Sequence, residues 1–414
     1  MHDQGSSVTG GVDTHGERHV AAVVSAAGRI LGTRAFAASE DGYRQLLEWM
    51  TSFGPLERAG VEGTGSYGAG LARYLAARGV RVAEVNRPDR QARRRRGKTD
   101  AADAEAAARA ALNGEATAIP KAGTGPAEAL RVLRVARTSA VKARTQAACQ
   151  IRDLIITAPD PLRAQLSALG IPARVAACAR FRPAPATGPE TAARQALRAL
   201  ARRHQALTTE ITAHDTAITA LCAQAAPALL GARGAGPGTA AALLIAAGDN
   251  PHRMRSEASF AALCGASPVQ ASSGKTTRHR LNRGGDRQAN NALWRIAMIR
   301  LATDPATQHY AATRTAQGKT RREIIRCLKR HIAREVYHLI TSPPPVPDPA
   351  ALRTLRTTRH ITLATAASCL ATAPSRLSAL ERGTAHDTHL ATRYHQWLTQ
   401  QTPDNQTQQT LDNQ

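Results

Sequence analysis

The segment that decides the fold is residues 8–37, VTGGVDTHGERHVAAVVSAAGRILGTRAFA. Short runs of β-branched and small residues (VTGGVD, HVAAVV and RILGTRAFA) alternate there with turn material (THGER and SAAGR). Runs of this length, bounded by Gly, Asp and Ser, are typical of strands. The segment therefore predicts three antiparallel strands rather than a helix.

Outward from these strands, the pattern alternates helix and strand. SEDG at 39–42 begins an amphipathic helix, and RAGVEG (58–63) and VRVAEVN (80–86) are predicted strands separated by a helix over 66–78. The order strand, strand, strand, helix, strand, helix, strand is that of a ribonuclease-H-like mixed sheet. The predicted fold class is therefore α/β over residues 1–115, followed by mostly α structure.

Residues 116–225 are predicted to form a helical coiled-coil arm. The region is rich in Ala and Arg, with one helical run from residue 127 onward, another over 190–221, and PAPATGP (183–189) between them. Both runs are apolar on one face and basic on the other, which favours an antiparallel coiled coil. A compact helical bundle fits the same pattern equally well.

Four more segments follow the arm. Residues 226–341 are predicted to be a mainly helical domain, and its Gly/Pro hairpin (231–248) resembles helix-hairpin-helix units that bind phosphate through main-chain amides. A plain helix N-terminus is the alternative for that hairpin. SPPPVPDP is a proline linker at 342–349, residues 350–398 have the spacing of a repressor-type helix-turn-helix, and the polar residues 399–414 predict a disordered tail.

The composition indicates a polyanionic partner. The 414 residues include 55 Lys plus Arg and 31 Asp plus Glu, so the formal net charge is +24. Such an excess favours nucleic acid as the partner and disfavours an ordinary neutral enzyme. Aromatic residues make only 3% of the chain, so base stacking on aromatic side chains is not expected to be the main binding mode.

Cysteine usage and hydropathy bear on location. The six cysteines are scattered singly, without the spacing of metal ligands, so reduced thiols are expected. Neither a signal sequence nor a long apolar run is apparent. The expected location is the cytoplasm of a bacterium, in association with the nucleoid and without a membrane partner.

Four acidic residues are candidate catalytic and metal-binding groups: Asp13, Glu62, Asp100 and Asp103. The first two end predicted strands, and the other two are one helical turn apart at the start of a helix, so all four could converge. Converging carboxylates repel each other unless a divalent cation neutralises them, and Mg²⁺ (or Mn²⁺) suits phosphodiester chemistry. Taken singly, each acid could instead be a turn residue, a loop residue or a helix cap.

Two basic segments are candidate nucleic-acid contacts. One lies within NRPDRQARRRRGKTDAAD (86–103), directly before the acidic pair, and the other within ASSGKTTRHRLNRGGDR (271–287). Cations there would bind phosphates with an affinity that falls as salt rises, although a basic run can also be a solvated face. The candidate contacts are Arg93, Arg94, Arg95, Arg96, Lys98, Lys275, Arg278, Arg280, Arg283 and Arg287.

Ser272 and Ser273 are candidate nucleophiles within the second basic segment. A serine hydroxyl flanked by cations can attack a phosphodiester, because guanidinium groups stabilise the charge that develops at phosphorus. Ser-Ser-Gly is also common in plain surface loops. The residues alone do not choose between the two serines.

Six segments together resemble the DEDD-type insertion-sequence transposases, over most of residues 8–335: GVDTH, GVEGTGSYG, VNRPDRQARRRRGKTDAADAE, GPGTAAALLIAAGD, FAALCGASPVQASSGK and NRGGDRQANNAL. The resemblance implies a RuvC-like domain, a coiled-coil arm and a helical domain that supplies a catalytic serine. It also implies that Asp13, Glu62, Asp100 and Asp103 hold Mg²⁺. Ser273, or else Ser272, would form the covalent phosphoserine link to DNA.

The resemblance implies partners as well. These are donor and target DNA, a noncoding bridge RNA that pairs with both, and further copies of the chain, from dimer to tetramer. In such an assembly the metal site of one subunit is completed by the serine of another.

The helix-turn-helix at 350–398 departs from the family's minimal pattern. If it reads a DNA groove, the candidate base contacts are Ser375, Arg376 and Ser378, near the N-terminus of its second helix. A protein-docking role or an evolutionary remnant is the alternative.

The leading hypothesis is therefore a transposase, a DNA recombinase that moves an insertion sequence by site-specific strand exchange. Two alternatives stay open at this point. One is a RuvC-like, metal-dependent junction nuclease that uses a metal-activated water. The other is a non-catalytic DNA-binding regulator that functions through its helix-turn-helix.

Overall fold

A computed structural model of the chain describes residues 7–85, 99–182, 185–270, 272, 279–280 and 282–401. The chain divides into two compact units, unit 1 (residues 1–125 and 247–255) and unit 2 (residues 126–246 and 256–414). Of the predicted disordered tail (399–414), residues 399–400 instead belong to the last helix, and residues 402–414 lie outside the described residues. These candidate site residues also lie outside them: Ser273, Arg93, Arg94, Arg95, Arg96, Lys98, Lys275 and Arg278.

Unit 1 contains a five-stranded mixed sheet in the order β3-β2-β1-β4-β5. Its strands are β1 (Val8–Thr14), β2 (Arg18–Ser25), β3 (Ile30–Ala37), β4 (Leu56–Glu62) and β5 (Arg81–Val85). The first three strands are antiparallel, as predicted, and β4 pairs in parallel with both β1 and β5. A mixed sheet followed by helices confirms the predicted α/β-then-α class and is compatible with a ribonuclease-H-like domain.

Helices cover both faces of this sheet. On one face, Val12 and Val23 form a core with Leu46 of α1 (Glu40–Thr51) and Leu75 of α2 (Ala69–Ala77). On the other face, Val20 and Ala22 pack with Ala104 of α3 (Asp100–Leu112). Neighbouring residues of a strand point to opposite faces, which explains how β2 contributes Ala22 to one core and Val23 to the other. The helix α1 begins as predicted, with Ser39 Oγ accepting from the backbone N–H of Gly42 at 3.2 Å.

A short distant segment completes unit 1. Asn250 donates through Nδ2 to the Pro120 carbonyl at 2.9 Å and accepts through Oδ1 from the Ala122 N–H at 3.0 Å. Asp249 accepts from the Gly125 N–H at 3.0 Å. These bonds satisfy backbone groups of a stretch that has few of its own.

Unit 2 begins with an antiparallel pair of long helices, α4 (Pro126–Ile156) and α7 (Pro189–Ala225). Arg137 near the start of α4 forms an ion pair with Asp215 near the end of α7, whereas Ile151 near the end of α4 clusters with Leu197 near the start of α7. The long helices confirm the predicted helical character of this region. The bounds of a separate coiled-coil arm stay a prediction.

Two short helices cover one end of this pair, α5 (Asp160–Ser167) and α6 (Ile171–Ala179). Leu162 and Leu166 of α5 and Val175 of α6 are buried against the long helices. The interruption between the long helices is thus structured rather than a simple loop.

The remainder of unit 2 is mainly helical, with one two-stranded ribbon. Its helices are α8 (Pro227–Leu230), α9 (Pro237–Ala247), α10 (Glu257–Leu263), α11 (Arg287–Thr303), α12 (Pro305–Ala316), α13 (Arg321–Thr341), α14 (Pro349–Thr358), α15 (Leu363–Cys369), α16 (Pro374–Glu381) and α17 (Thr388–Gln400). The ribbon pairs β6 (Val269–Gln270) with β7 (His279–Arg280). Among the described residues, none of the helices has the combined length and apolarity that crossing a membrane requires.

The last four helices share a core of their own. Leu352 of α14, Leu377 and Leu380 of α16 and Tyr394 of α17 are buried together. Helices α15 and α16 lie within residues 350–398, where the sequence predicts a helix-turn-helix. Binding of DNA by this C-terminal module (residues 349–400) stays a prediction.

Candidate metal centre

Helix α3 lies directly on the sheet because two strand residues have no side chain. A β-carbon on Gly11 would fall 2.1 Å from the Ala108 nitrogen, and one on Gly60 would fall 2.3 Å from the Ala107 carbonyl oxygen. Only glycine permits so close an approach of helix and strand backbones. The start of α3 is thereby held beside the end of β1.

The first turn of α3 carries two carboxylates. Thr99 caps the helix, its Oγ1 accepting from the Ala102 N–H at 3.2 Å, so that the helix begins at Asp100. Asp100 and Asp103 are one turn apart and share a helix face. Asp103 is buried, and the Asp100 side chain is partly exposed. Acidic groups at a helix N-terminus are favoured by the helix dipole.

Asp13, His15 and Asp100 converge at this point. His15 Nε2 lies 3.1 Å from Asp13 Oδ2 and 3.5 Å from Asp100 Oδ1. One ligand atom from each of the three lies within 4.8 Å of the other two. Two carboxylates and an imidazole at this separation can hold a divalent cation.

Glu62 lies at the same edge of the sheet as Asp13. Val12 is in register with Val61, so the residues that follow them occupy neighbouring positions at the ends of β1 and β4. Thr14 Oγ1 donates to the Glu62 carbonyl at 2.9 Å, which ties the two strand ends together. The Oε1 atom of Glu62 is buried. The predicted tetrad therefore lies at one sheet edge and the adjoining helix turn, and its joint binding of metal stays a prediction.

The electrostatics of Asp13 fit a cation site. Burial raises the pKa of Asp13, and the neighbouring Asp103 and Asp100 carboxylates raise it further, whereas His15 opposes the change. A raised pKa means that the surroundings of Asp13 disfavour its ionised carboxylate relative to the protonated acid. A bound cation would remove that penalty, since it compensates both the burial and the repulsion.

Sequence reasoning missed His15. It follows Asp13 by two residues, the spacing that places side chains on one face of a strand, and GVDTH shows this spacing directly. It also missed Arg18, whose guanidinium lies 3.7 Å from Asp100 Oδ2. Both come from the turn between β1 and β2 or its border, which the sequence marked only as turn material.

The other predicted site residues are in unit 2. Ser272 is exposed and lies two residues beyond β6, and both candidate serines fall in the sequence between the two strands of the ribbon. Arg280, Arg283 and Arg287 are exposed, as a phosphate contact requires. In the C-terminal module Ser375 and Arg376 are exposed and Ser378 is half-buried. Arg376 forms an ion pair with Asp387 at 2.6 Å.

Two family models match regions of this chain. A family model for DEDD-type transposases of the IS110 group, described as "Transposase", matches residues 10–157, which include all four acids of the tetrad. A second model, described as "Transposase IS116/IS110/IS902 family", matches residues 226–312, which include both serines. A search of curated proteins found no match.

The two matched regions together span more than half of the chain. Membership of this family implies DNA substrates and the use of a divalent metal, and Asp13, His15 and Asp100 form a group that could hold such an ion. The chain therefore belongs to the IS110 family of DEDD-type transposases, enzymes of DNA transposition.

Proposed function

We propose that this transposase performs site-specific strand exchange with a serine nucleophile and a metal centre built on Asp13. The convergence of Asp13, His15 and Asp100 carries the proposal. A buried carboxylate that is repelled by neighbouring carboxylates, as Asp13 is, disfavours folding unless a charged ligand compensates it. A divalent cation beside a phosphodiester is the ligand that suits the family's chemistry.

The proposed ion is Mg²⁺ or Mn²⁺, held by Asp13 and Asp100 with Glu62 and Asp103 completing the tetrad. When bound, such an ion polarises a phosphoryl oxygen and offsets the charge that develops on it. His15, 3.1 Å from Asp13 Oδ2, orients that carboxylate or adds a ligand. Arg18 restrains the outer side of Asp100 through its 3.7 Å ion pair.

The proposed covalent step belongs to Ser273 or Ser272. The serine Oγ attacks the scissile phosphorus, so that an Oγ–P bond forms and the bond from phosphorus to a deoxyribose oxygen breaks. The hydroxyl proton leaves the serine, and the departing sugar oxygen gains a proton. Attack by a deoxyribose hydroxyl of the partner strand then reverses these events and frees the serine. Arg280, Arg283 and Arg287 are exposed, follow the serines within 15 residues of sequence and would neutralise the DNA backbone.

The proposed partners follow from the family and the charge. A noncoding bridge RNA would pair with donor and target DNA, and a dimer or tetramer would bring the metal centre of one subunit to the serine of another. A net charge of +24 suits binding of two nucleic acids. The C-terminal module would add a DNA contact through Ser375, Arg376 and Ser378, provided that Arg376 leaves Asp387.

Strand exchange on labelled donor and target DNA, with the element's noncoding RNA added or withheld, tests the proposal. Asp13→Asn should abolish exchange, and the exposed control Asp41→Asn should retain it. The Ser272→Ala, Ser273→Ala double variant should form no protein-linked phosphate. If the double variant still recombines DNA, the serine mechanism is wrong. If it still cleaves junctions without exchange, the nuclease alternative holds. If the wild-type chain binds DNA equally well with Mg²⁺ and with EDTA but neither cleaves nor exchanges it, the non-catalytic regulator is favoured.

A further inference from the structure

A cationic cavity of about 650 Å³ lies beside the β6–β7 ribbon in unit 2. Its wall includes the loop at residues 265–268, Arg280 of β7 and side chains of α12 and α13. Six cationic residues line it: Arg280, Arg314, Lys319, Arg326, Lys329 and Arg330. Among the described residues Glu323 is the single acid in this lining. The cavity, called here the α13 cavity, therefore carries a strong positive charge.

Glu323 compensates little of this charge because it is engaged elsewhere. Its Oε2 accepts from the Thr320 hydroxyl at 2.7 Å and from the Thr320 N–H at 2.9 Å, which closes a capping box at the start of α13. Its ion pair with Arg326 is long, at 3.9 Å, and lies at an exposed position. Exposed pairs of this kind contribute little.

Lys329 is the buried cation of the α13 cavity, with 7% of its surface exposed. Its Nζ donates to Asn290 Oδ1 at 3.0 Å. Asn290 is itself fixed, because its Nδ2 donates to the carbonyl oxygens of Cys264 at 2.8 Å and Gly265 at 3.1 Å. The amide therefore presents its oxygen to the ammonium and cannot supply a negative charge.

A buried ammonium with a neutral partner costs free energy. Burial accordingly lowers the pKa of Lys329, and the Arg326 guanidinium adds to that effect. Within the part of the chain that the structure describes, no carboxylate pairs with Lys329. An anion that enters the cavity would provide the missing charge.

Other cations of the cavity are held in place by neutral groups. Arg314 donates through Nε to the Tyr310 hydroxyl at 3.2 Å and through Nη1 to Gln317 Oε1 at 2.9 Å. Arg330 donates to the Glu257 carbonyl oxygen at 3.4 Å. Arg314 is oriented by neutral groups and is thereby preorganised for phosphate. Arg330 also interacts with the Glu257 carboxylate, which Arg334 shares.

We propose that the α13 cavity binds a backbone phosphate of the DNA strand on which the serine loop acts. The inference rests on the proposed function, since it takes DNA as the substrate of that loop. Arg280 and residues 265–268 line the cavity, and the chain that runs from β6 to β7 holds both candidate serines. A phosphate seated on Lys329 would therefore anchor the strand beside the nucleophile.

The test is binding of short labelled oligonucleotides to the full chain in EDTA, so that no metal chemistry is required. Lys329→Met removes the buried charge, and Arg326→Gln removes an exposed cavity charge that folding does not need. The matched control is Arg322→Gln, which removes the same charge one turn earlier on α13 and outside the cavity lining. Single-stranded DNA, duplex DNA and duplex RNA of equal length are compared over a range of salt concentrations.

Each cavity variant should weaken DNA binding by about three- to tenfold and reduce the slope of log K against log salt by about 1. The Arg322→Gln control should change neither quantity. An equal effect of all three substitutions would overturn the proposal, because it would report general surface charge. An effect confined to duplex RNA would overturn the assignment to DNA. Loss of strand exchange with unchanged DNA affinity in the cavity variants would also exclude the anchor, without touching the serine and metal mechanism.

Discussion

Gly11 of β1 and Ala108 of α3 lie in backbone contact, so close that a β-carbon on the glycine would fall 2.1 Å from the Ala108 nitrogen. This contact sets the height of α3 above the sheet. Asp100 and Asp103 are carried by the first turn of the same helix, and Asp13 is two residues beyond Gly11. The metal centre therefore depends on a glycine that touches none of the acids.

Gly11→Ala is expected to destabilise the protein by about 2–4 kcal/mol, because backbone atoms cannot yield as a flexible side chain does. Gly65→Ala is the matched control, since a β-carbon there meets no atom within 4 Å. Urea denaturation followed by circular dichroism compares the two. Equal, small changes for both substitutions would show that α3 can shift without cost.

Asp13→Asn is expected to separate stability from metal binding. The pKa of Asp13 is higher in the folded protein than its ordinary value of 3.8. The metal-free fold therefore loses stability as the pH rises from 3.8 through the pKa of the folded state. Asparagine removes this loss, and at neutral pH in EDTA the variant should melt at a higher temperature than the wild type. Added Mg²⁺ should then stabilise the wild type and Asp41→Asn but not Asp13→Asn. A variant that still responds to Mg²⁺ would exclude Asp13 as a ligand.

His15→Ala is expected to weaken metal affinity by about 10- to 100-fold, the effect of losing a group that orients a ligand. Titration with Mn²⁺, followed by electron paramagnetic resonance of the free ion, measures this directly. The exposed His252→Ala variant of unit 1 provides a control for loss of a histidine. Unchanged affinity in His15→Ala would show that its 3.1 Å contact with Asp13 is only structural.

The C-terminal module should lose stability in acid through Glu381. Burial disfavours its charge, yet hydrogen bonds from Arg356 and Tyr394 outweigh burial and hold the pKa of Glu381 below its ordinary 4.5. Stability from this group is therefore present above pH 4.5 and is lost as the pH falls through the lower folded value. Fluorescence of Trp397, in a chain with Trp49→Phe and Trp294→Phe, follows the module as the pH is lowered.

Glu381→Gln removes this acid dependence and leaves the Arg356 guanidinium without its carboxylate. The expected loss is about 3 kcal/mol at neutral pH, because breaking a buried pair strands its other charge. Glu48→Gln, which breaks an exposed pair with Arg44, should change stability by less than about 1 kcal/mol. Similar losses for both would contradict a buried network.

The sequence predicted those features whose cause is local. Strand runs between Gly and Ser turns, the Ser39 cap and the long amphipathic helices all depend on residues a few positions apart. The role of Gly11 could not be predicted in this way, because the need for glycine there comes from the backbone of α3, which is distant in sequence and packs against it. The Lys329–Asn290 bond joins residues 39 apart in the chain. The two-residue spacing between Asp13 and His15 was a signal for His15 as a site residue, but its neighbours in sequence are turn residues and did not distinguish it from them.

Asn250 and Asp249 have a practical consequence for anyone dissecting the molecule. They bond to backbone groups of residues 120–125, so the helical residues 126–246, which belong to unit 2, are inserted between two parts of unit 1. In a fragment truncated at residue 125, the backbone groups of Pro120, Ala122 and Gly125 would lose these partners, and the C-terminal end of the fragment would become disordered. A stable minimal fragment would instead join residue 125 to residues 247–255 through a short linker, so that only the inserted residues 126–246 are removed and unit 1 stays complete.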